Sequence, residues 1–177
     1  MVMRNSVLFP GVSKRVGGYI DEWYTPDRIP RALGDFDLDP CAGPKSHARQ
    51  NVRRPKCGLT MPWAGRVWLN PPYSNVHEWI DKFAAHGNGI ALVNARPETQ
   101  WFQRLAANAD GILWLRGRVQ FEKPDGSEGH TTVGSVLLAY GKQNADALQT
   151  AKLPGVLTRV VHCENAEVSG AAKGNQA

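Results

Sequence analysis

Arg66-Val67-Trp68-Leu69-Asn70-Pro71-Pro72-Tyr73-Ser74-Asn75-Val76-His77-Glu78-Trp79-Ile80 is the stretch on which the fold of this sequence turns. Residues 66–69 form a short run, apolar after Arg66, with β-branched and aromatic members, which suits a buried strand. Asn70-Pro71 ends it, because proline fixes φ and offers no amide to a ladder. Further on, Val76, Trp79, Ile80, Phe83 and Ala84 recur at helical spacing, Asn75 and Glu78 resemble a capping box, and Gly87 supplies a stop. A strand, a rigid polar turn and an amphipathic helix therefore follow one another.

The same alternation continues on both sides. Residues 36–39 predict a strand that ends at Pro40, and residues 89–94 (GIALVN) predict a buried one. Pro97 is expected to open a second amphipathic helix with Trp101, Phe102 and Leu105 on its apolar face. Residues 112–115 read as a further strand, and residues 133–140 and 156–161 as late strands finishing the sheet antiparallel at its edge. The pattern predicts an α/β fold with a mostly parallel sheet and helices on both faces. One domain is expected over residues 21–162, between a loose segment at 1–20 and a polar tail at 163–177. Ligands of open α/β sheets bind outside the carboxyl ends of the strands, so Asp39 and Asn70 face one crevice if their strands are neighbours.

Composition narrows the class. A net charge of +5 and a pI near 9.3 suit a polyanionic partner such as nucleic acid without requiring one. No run approaches the roughly 18 apolar residues of a membrane span, and Pro10-Gly11 interrupts the apolar patch Val7-Leu8-Phe9, so a soluble, cytoplasmic protein is expected. Cys41, Cys57 and Cys163 form no CxxC pair, which argues against a disulfide framework. Cys41, His47 and Cys57 fit no common zinc spacing, so no metal is expected.

Residues 70–73 carry the sharpest chemistry. A delocalised nitrogen such as the exocyclic amine of adenine is a poor nucleophile, and two acceptors aimed at its N–H bonds help it pyramidalise. The side-chain oxygen of Asn70 and the carbonyl of Pro71 are natural acceptors, and Tyr73 offers a face on which a base can stack. That is preorganised electrostatics rather than general-base catalysis. An isolated Asn-Pro-Pro is more often only a turn; its place between a strand and a helix favours the functional reading.

Four motifs in order resemble the phage-type DNA N6-adenine methyltransferases of the Dam family. They are Glu22-Trp23-Tyr24-Thr25-Pro26, Phe36-Asp37-Leu38-Asp39-Pro40-Cys41-Ala42, Trp68-Leu69-Asn70-Pro71-Pro72-Tyr73-Ser74 and Arg116-Gly117-Arg118-Val119-Gln120-Phe121, and the resemblance covers most of residues 21–141. It implies a Rossmann-like methyltransferase fold, S-adenosylmethionine as cofactor, double-stranded DNA as partner, and a phage or prophage origin in a bacterial host. On that pattern Trp23, Tyr24, Thr25, Pro26, Asp39, Pro40, Cys41 and Ala42 would line the cofactor pocket. Asn70, Pro71, Pro72 and Tyr73 would receive a flipped base. Ser74 would meet the DNA, and Arg118 and Phe121 would lie beside the extruded base.

Two departures stand out. Pro44 occupies the place of the expected later glycine of the first cofactor motif, and residues 44–69 contain no Asp or Glu to hold a ribose, leaving Asp37 or main-chain groups. The same segment holds Lys45, His47, Arg49, Arg53, Arg54, Lys56 and Arg66 unopposed in sequence, and Lys45, Arg49, Arg53 and Arg54 are expected to touch phosphates. Trp101 reads as core. Two other functions compete: methylation of a protein glutamine amide, which poses the same chemical problem, and a DNA-binding module that keeps the fold without turnover.

Overall fold

A computed structural model describes residues 24–53, 56–123 and 126–160. The expected ends at 1–20 and 163–177, together with Trp23, Arg54 and Cys163, lie outside the described residues. Along the chain run α1 (Arg28–Ala32), β1 (Leu38–Asp39), β2 (Gln50–Asn51), β3 (Val67–Leu69), α2 (Val76–His86), β4 (Gly89–Asn94), α3 (Gln100–Ala107) and β5 (Gly111–Leu115). Then follow β6 (Phe121–Glu122), β7 (Glu128–Gly129), β8 (Ser135–Tyr140), α4 (Lys142–Thr150) and β9 (Gly155–Arg159).

Among the described residues one seven-stranded sheet has the order β2-β1-β3-β4-β8-β5-β9, and β6 pairs with β7 in a separate hairpin. The pairings β2-β1, β1-β3 and β3-β4 are parallel, whereas β8 runs antiparallel to both β4 and β5, and β9 antiparallel to β5. The mixed α/β class therefore holds, with one correction: β8 lies in the middle of the sheet, not at its edge. Its sequence SVLLAY is buried at all six positions, which a strand with a partner on each side and helices over both faces requires. Only β9, with its alternating exposure, forms the edge on that side.

Side-chain alternation divides the core between the two faces. Ala91 and Val93 of β4 join Val67, Leu69 and Leu138 under Trp79, Ile80 and Phe83 of α2 and Trp101, Phe102 and Leu105 of α3. Ile90 and Leu92 face the other way, with Trp68, Leu113 and Leu137, under Ile29 of α1 and Ala145 and Leu148 of α4. Helices thus cover both faces, and Trp101 is core, as its spacing predicts.

Local signals place the helix ends with two adjustments. Gly87 stops α2 at φ 73°, its amide donating to the Phe83 carbonyl at 3.0 Å. Asn75, expected to cap α2, makes no side-chain cap; its Oδ1 accepts the indole N–H of Trp79 at 3.2 Å. A buried indole needs an acceptor, and that need outweighs the cap. Helix α3 starts at Gln100, because Arg96 to Thr99 close a turn first, with the Thr99 amide donating to the Arg96 carbonyl at 3.0 Å.

Candidate active site

The parallel pairing of β1 with β3 brings the two sequence signatures together. Leu38 stands opposite Val67, so the chain leaves the sheet at Asp39-Pro40 and at Asn70-Pro71 side by side. Asp39 and Asn70 line one cleft of about 230 Å3, whose other walls include Tyr24, Thr25, Gly43, Lys45 and Ser46.

Asp39 is 4% exposed and accepts two hydrogen bonds, from the Cys41 amide to Oδ1 at 3.1 Å and from Ser46 Oγ to Oδ2 at 2.6 Å. Burial nevertheless pushes its carboxyl up to about 6, the two hydrogen bonds and the charge of Arg53 opposing that shift. Tyr24 is held at the cleft by a pair of backbone bonds with Glu122, 2.8 and 3.1 Å long. Its ring lies over Gly43, where a Cβ would stand 2.7 Å from the Tyr24 ring, so only glycine admits this approach. Thr25 Oγ1 is buried and has no hydrogen-bond partner.

Other expected cofactor residues shape the site rather than line it. Pro40 is buried, the Ala42 amide donates to the Val52 carbonyl at 3.0 Å, and Cys41 turns its thiol toward the Asn70 carbonyl at 3.1 Å. The Pro26 carbonyl accepts from Ile29 and opens α1. Asp37 is not in the cleft: its Oδ2 accepts the Arg66 amide at 2.8 Å, a structural task that fixes the start of β3. The carboxylate that does join Asp39 in the cleft wall is Asp35, and α1 adds Pro30 and Arg31. Pro30 and Arg31 carry no sequence signal because a five-residue helix is too short to show a period, and Asp35 lies in the loop between α1 and β1, where no pattern marks it.

In the Asn-Pro-Pro-Tyr turn, Pro71 is buried and Asn70, Pro72 and Tyr73 are half-buried. Tyr73 begins a short 3-10 turn with the exposed Ser74, and the Asn94 amide at the end of β4 donates to its hydroxyl oxygen at 2.6 Å. Its ring meets Trp101 edge-on, with centroids 6.3 Å apart. The turn is thus anchored to β4 and α3 at its far end and to Cys41 at its near end.

Phe121 requires correction. It is 4% exposed and packs with Val119 in the cluster that holds Phe36 and Trp68, so it is a core residue and not a ring waiting beside an extruded base. Arg118 is exposed and donates to the Thr131 carbonyl at 3.2 Å.

The basic segment is also less unopposed than the sequence suggests, because its carboxylates come from elsewhere in the chain. Lys45 meets Glu122 at 2.5 Å, His47 meets Asp27 at 3.0 Å, and Arg49 lies 3.6 Å from Asp37. The exposed Arg53 donates to the carbonyls of Gly43 and Pro44 at 3.1 and 3.3 Å. Arg66 is half-buried, its Nε donating to Asn144 at 2.6 Å and its guanidinium 4.3 Å from the Phe36 ring centroid. Among the described residues no three His, Cys, Asp or Glu gather as metal ligands, and no helix is long and apolar enough to cross a membrane.

Residues 13–148 match the family described as DNA N-6-adenine-methyltransferase (Dam). The chain belongs to that family. It is 31% identical over 119 residues to the DNA N-6-adenine-methyltransferase of Escherichia phage T1, an alignment covering 61% of this chain and 50% of the phage protein. The chain thus spans about half the length of that relative. No solved structure gives a significant match. The four phage-type Dam motifs noted in the sequence lie within the matched residues.

Proposed function

We propose that this chain transfers the methyl group of S-adenosylmethionine to the N6 amino group of adenine in double-stranded DNA. The observation that carries the reading is the shared cleft: Asp39 at the end of β1 and Asn70 just after β3, polar residues of two separate Dam motifs, both line it. The sheet, with its parallel β2-β1-β3-β4 run and helices on both faces, is then an abbreviated Rossmann-like methyltransferase fold.

The cleft suits the cofactor chemically. Thr25 Oγ1 is a buried hydroxyl in its wall with no protein partner, Tyr24 supplies an aromatic face, and Asp39 is a carboxyl whose ionisation a nearby cation would favour. Tyr24, Thr25, Asp39 and Ser46 would hold the cofactor, with Pro40, Cys41 and Ala42 shaping their loop. When bound, S-adenosylmethionine supplies a methyl group already activated by its sulfonium centre. Asn70 Oδ1 and the Pro71 carbonyl accept the two N–H bonds of the adenine amine and steady it as it pyramidalises, while Pro72 stiffens the turn and Tyr73 offers its face to the flipped base. The resulting ammonium is acidic enough to shed its proton to solvent. Arg49, Arg53, Arg54 and Ser74 are assigned to the DNA backbone, Lys45 only when it parts from Glu122, and Arg118 to the neighbourhood of the extruded base.

The test is transfer of a radiolabelled methyl group from S-adenosylmethionine to duplex DNA or to protein, followed by nucleoside analysis. Label in N6-methyladenine is the expected result. Label on a protein glutamine would replace this reading with an amide methyltransferase, and no label on either substrate would leave a binding module.

A further inference from the structure

Cys41 is the residue through which the two polar signatures touch. Its amide donates to Asp39 and its thiol donates to the carbonyl of Asn70, 29 positions away in sequence. Between β1 and β3 the ladder supplies one register pair, Leu38 with Val67, and the ladder between β3 and β4 ends at Leu69 opposite Ala91, one residue before Asn70. The thiol therefore contacts the turn just past the last paired residue of β3.

The backbone of the turn has little freedom elsewhere. Pro71 and Pro72 have fixed φ, and the peptide between Asn70 and Pro71 is planar. Within the extended range that a residue before proline allows, a turn of that peptide plane about ψ of Asn70 swings the Asn70 carbonyl and displaces the Pro71 carbonyl with it. A donor on the Asn70 carbonyl oxygen stops this rotation.

We propose that Cys41 is a positioning residue for methyl transfer, its thiol fixing the Asn70-Pro71 peptide plane and so aiming the two acceptors of the turn. This inference rests on reading residues 70–73 as the acceptor site. Burial, reinforced by the charge of Asp39 and only partly offset by the backbone hydrogen bond with Asn70, pushes the thiol well above the usual cysteine range, so it keeps its proton and remains able to donate at neutral pH. The neighbours restrict it further: Pro40 is buried and Ala42 is bonded to Val52. Cys41 is absent from the cleft wall, which separates its role from cofactor contact.

The experiment compares Cys41→Ala with Cys41→Ser. Alanine removes the donor, and serine restores one of similar size. Cys41→Ala is expected to lower kcat by roughly tenfold, about 1.4 kcal/mol, with the KM for S-adenosylmethionine within about twofold of the parent. Cys41→Ser is expected to recover most of that loss. Equal losses in both variants, or a rise in cofactor KM that accounts for the alanine defect, would overturn the proposal and leave Cys41 as packing or cofactor contact. If the parent protein methylates no DNA, the reading of the turn fails, and the positioning claim is decided separately by the Asn70 side-chain amide resonances in a 15N spectrum. These should move in Cys41→Ala and return toward the parent in Cys41→Ser; unchanged resonances in the alanine variant would overturn the coupling itself.

Discussion

In the half of the sheet formed by β4, β8 and β5, strands of five and six residues pair along nearly their whole length, and β8 is buried at every position. In the half formed by β2, β1 and β3, no strand exceeds three residues, and β1 meets β3 through a single register pair. The long antiparallel strands bury apolar side chains on both faces and leave almost no backbone for other work. Short parallel strands end early, and the polar residues just beyond them are released into loops at the same edge. The proposed chemistry sits wholly in that second half. A well-paired half anchors a thinly paired one, as Tyr73 shows by taking the amide of Asn94 at the end of β4.

If the division is real, damage to the two halves must look different. Phe83, fully buried under the sheet with its ring 4.8 Å from that of Tyr140, belongs to the anchoring half. Phe83→Ala should cost about 3–5 kcal/mol of stability in denaturant unfolding, with loss of activity only in proportion to unfolding. An intact fold with selective loss of transfer would break the comparison.

Asp39 should show that the cleft half trades stability for function. Its folded value, about 6, lies above the ordinary 3.8, so its contribution to stability is complete below pH 3.8 and is lost as pH rises through 6. The loss is up to about 3 kcal/mol. Asp39→Asn should abolish this part of the pH dependence and weaken S-adenosylmethionine binding, as read by urea unfolding at pH 4 and 7 and by calorimetry. Parallel stability profiles for parent and variant would show that the carboxyl is not strained by burial.

Asn70→Ala should leave unfolding nearly unchanged and lower methyl transfer on the order of 100-fold, about 2.7 kcal/mol of barrier. Near-normal turnover by the folded variant would remove Asn70 from the mechanism. The smallest effect is expected on the outer surface of the same half. Replacing Arg53 and Arg54 by Ala should flatten the plot of log DNA affinity against log salt by up to about 1.8 units if each meets one phosphate. An unchanged slope would mean that Arg53 serves only the Gly43 and Pro44 carbonyls it already binds.

Legibility followed the length of the signal. Residues 89–94 and 76–86 were read almost to their ends, because a six-residue apolar run and three turns of spaced apolar residues each exceed what chance supplies. The polar pair Gln50–Asn51 carries no strand signature, and it pairs only because β1 offers it an open edge. Helix α4 hides its apolar face behind Asn144, a buried polar residue whose amide bridges Asn88 and the Tyr140 carbonyl. Within the site, Asp39, Asn70, Tyr24 and Thr25 were legible as motif residues. Asp35 and Arg31 were not, since nothing local marks them.

By itself the sequence determined the alternation of strands and helices, the Dam motifs, and the residue types able to steady an amine, because these depend on periodicity and on the covalent chemistry of Asn, Pro and Tyr. Only the tertiary structure decided that β1 lies against β3, that β8 enters the centre of the sheet, that Phe121 is core, and that Glu122 and Asp37 meet the basic segment. Each of these depends on which distant residues share a face or an edge. Burial and Coulomb forces act across space, whereas spacing along the chain records only what a residue's own turn or strand requires.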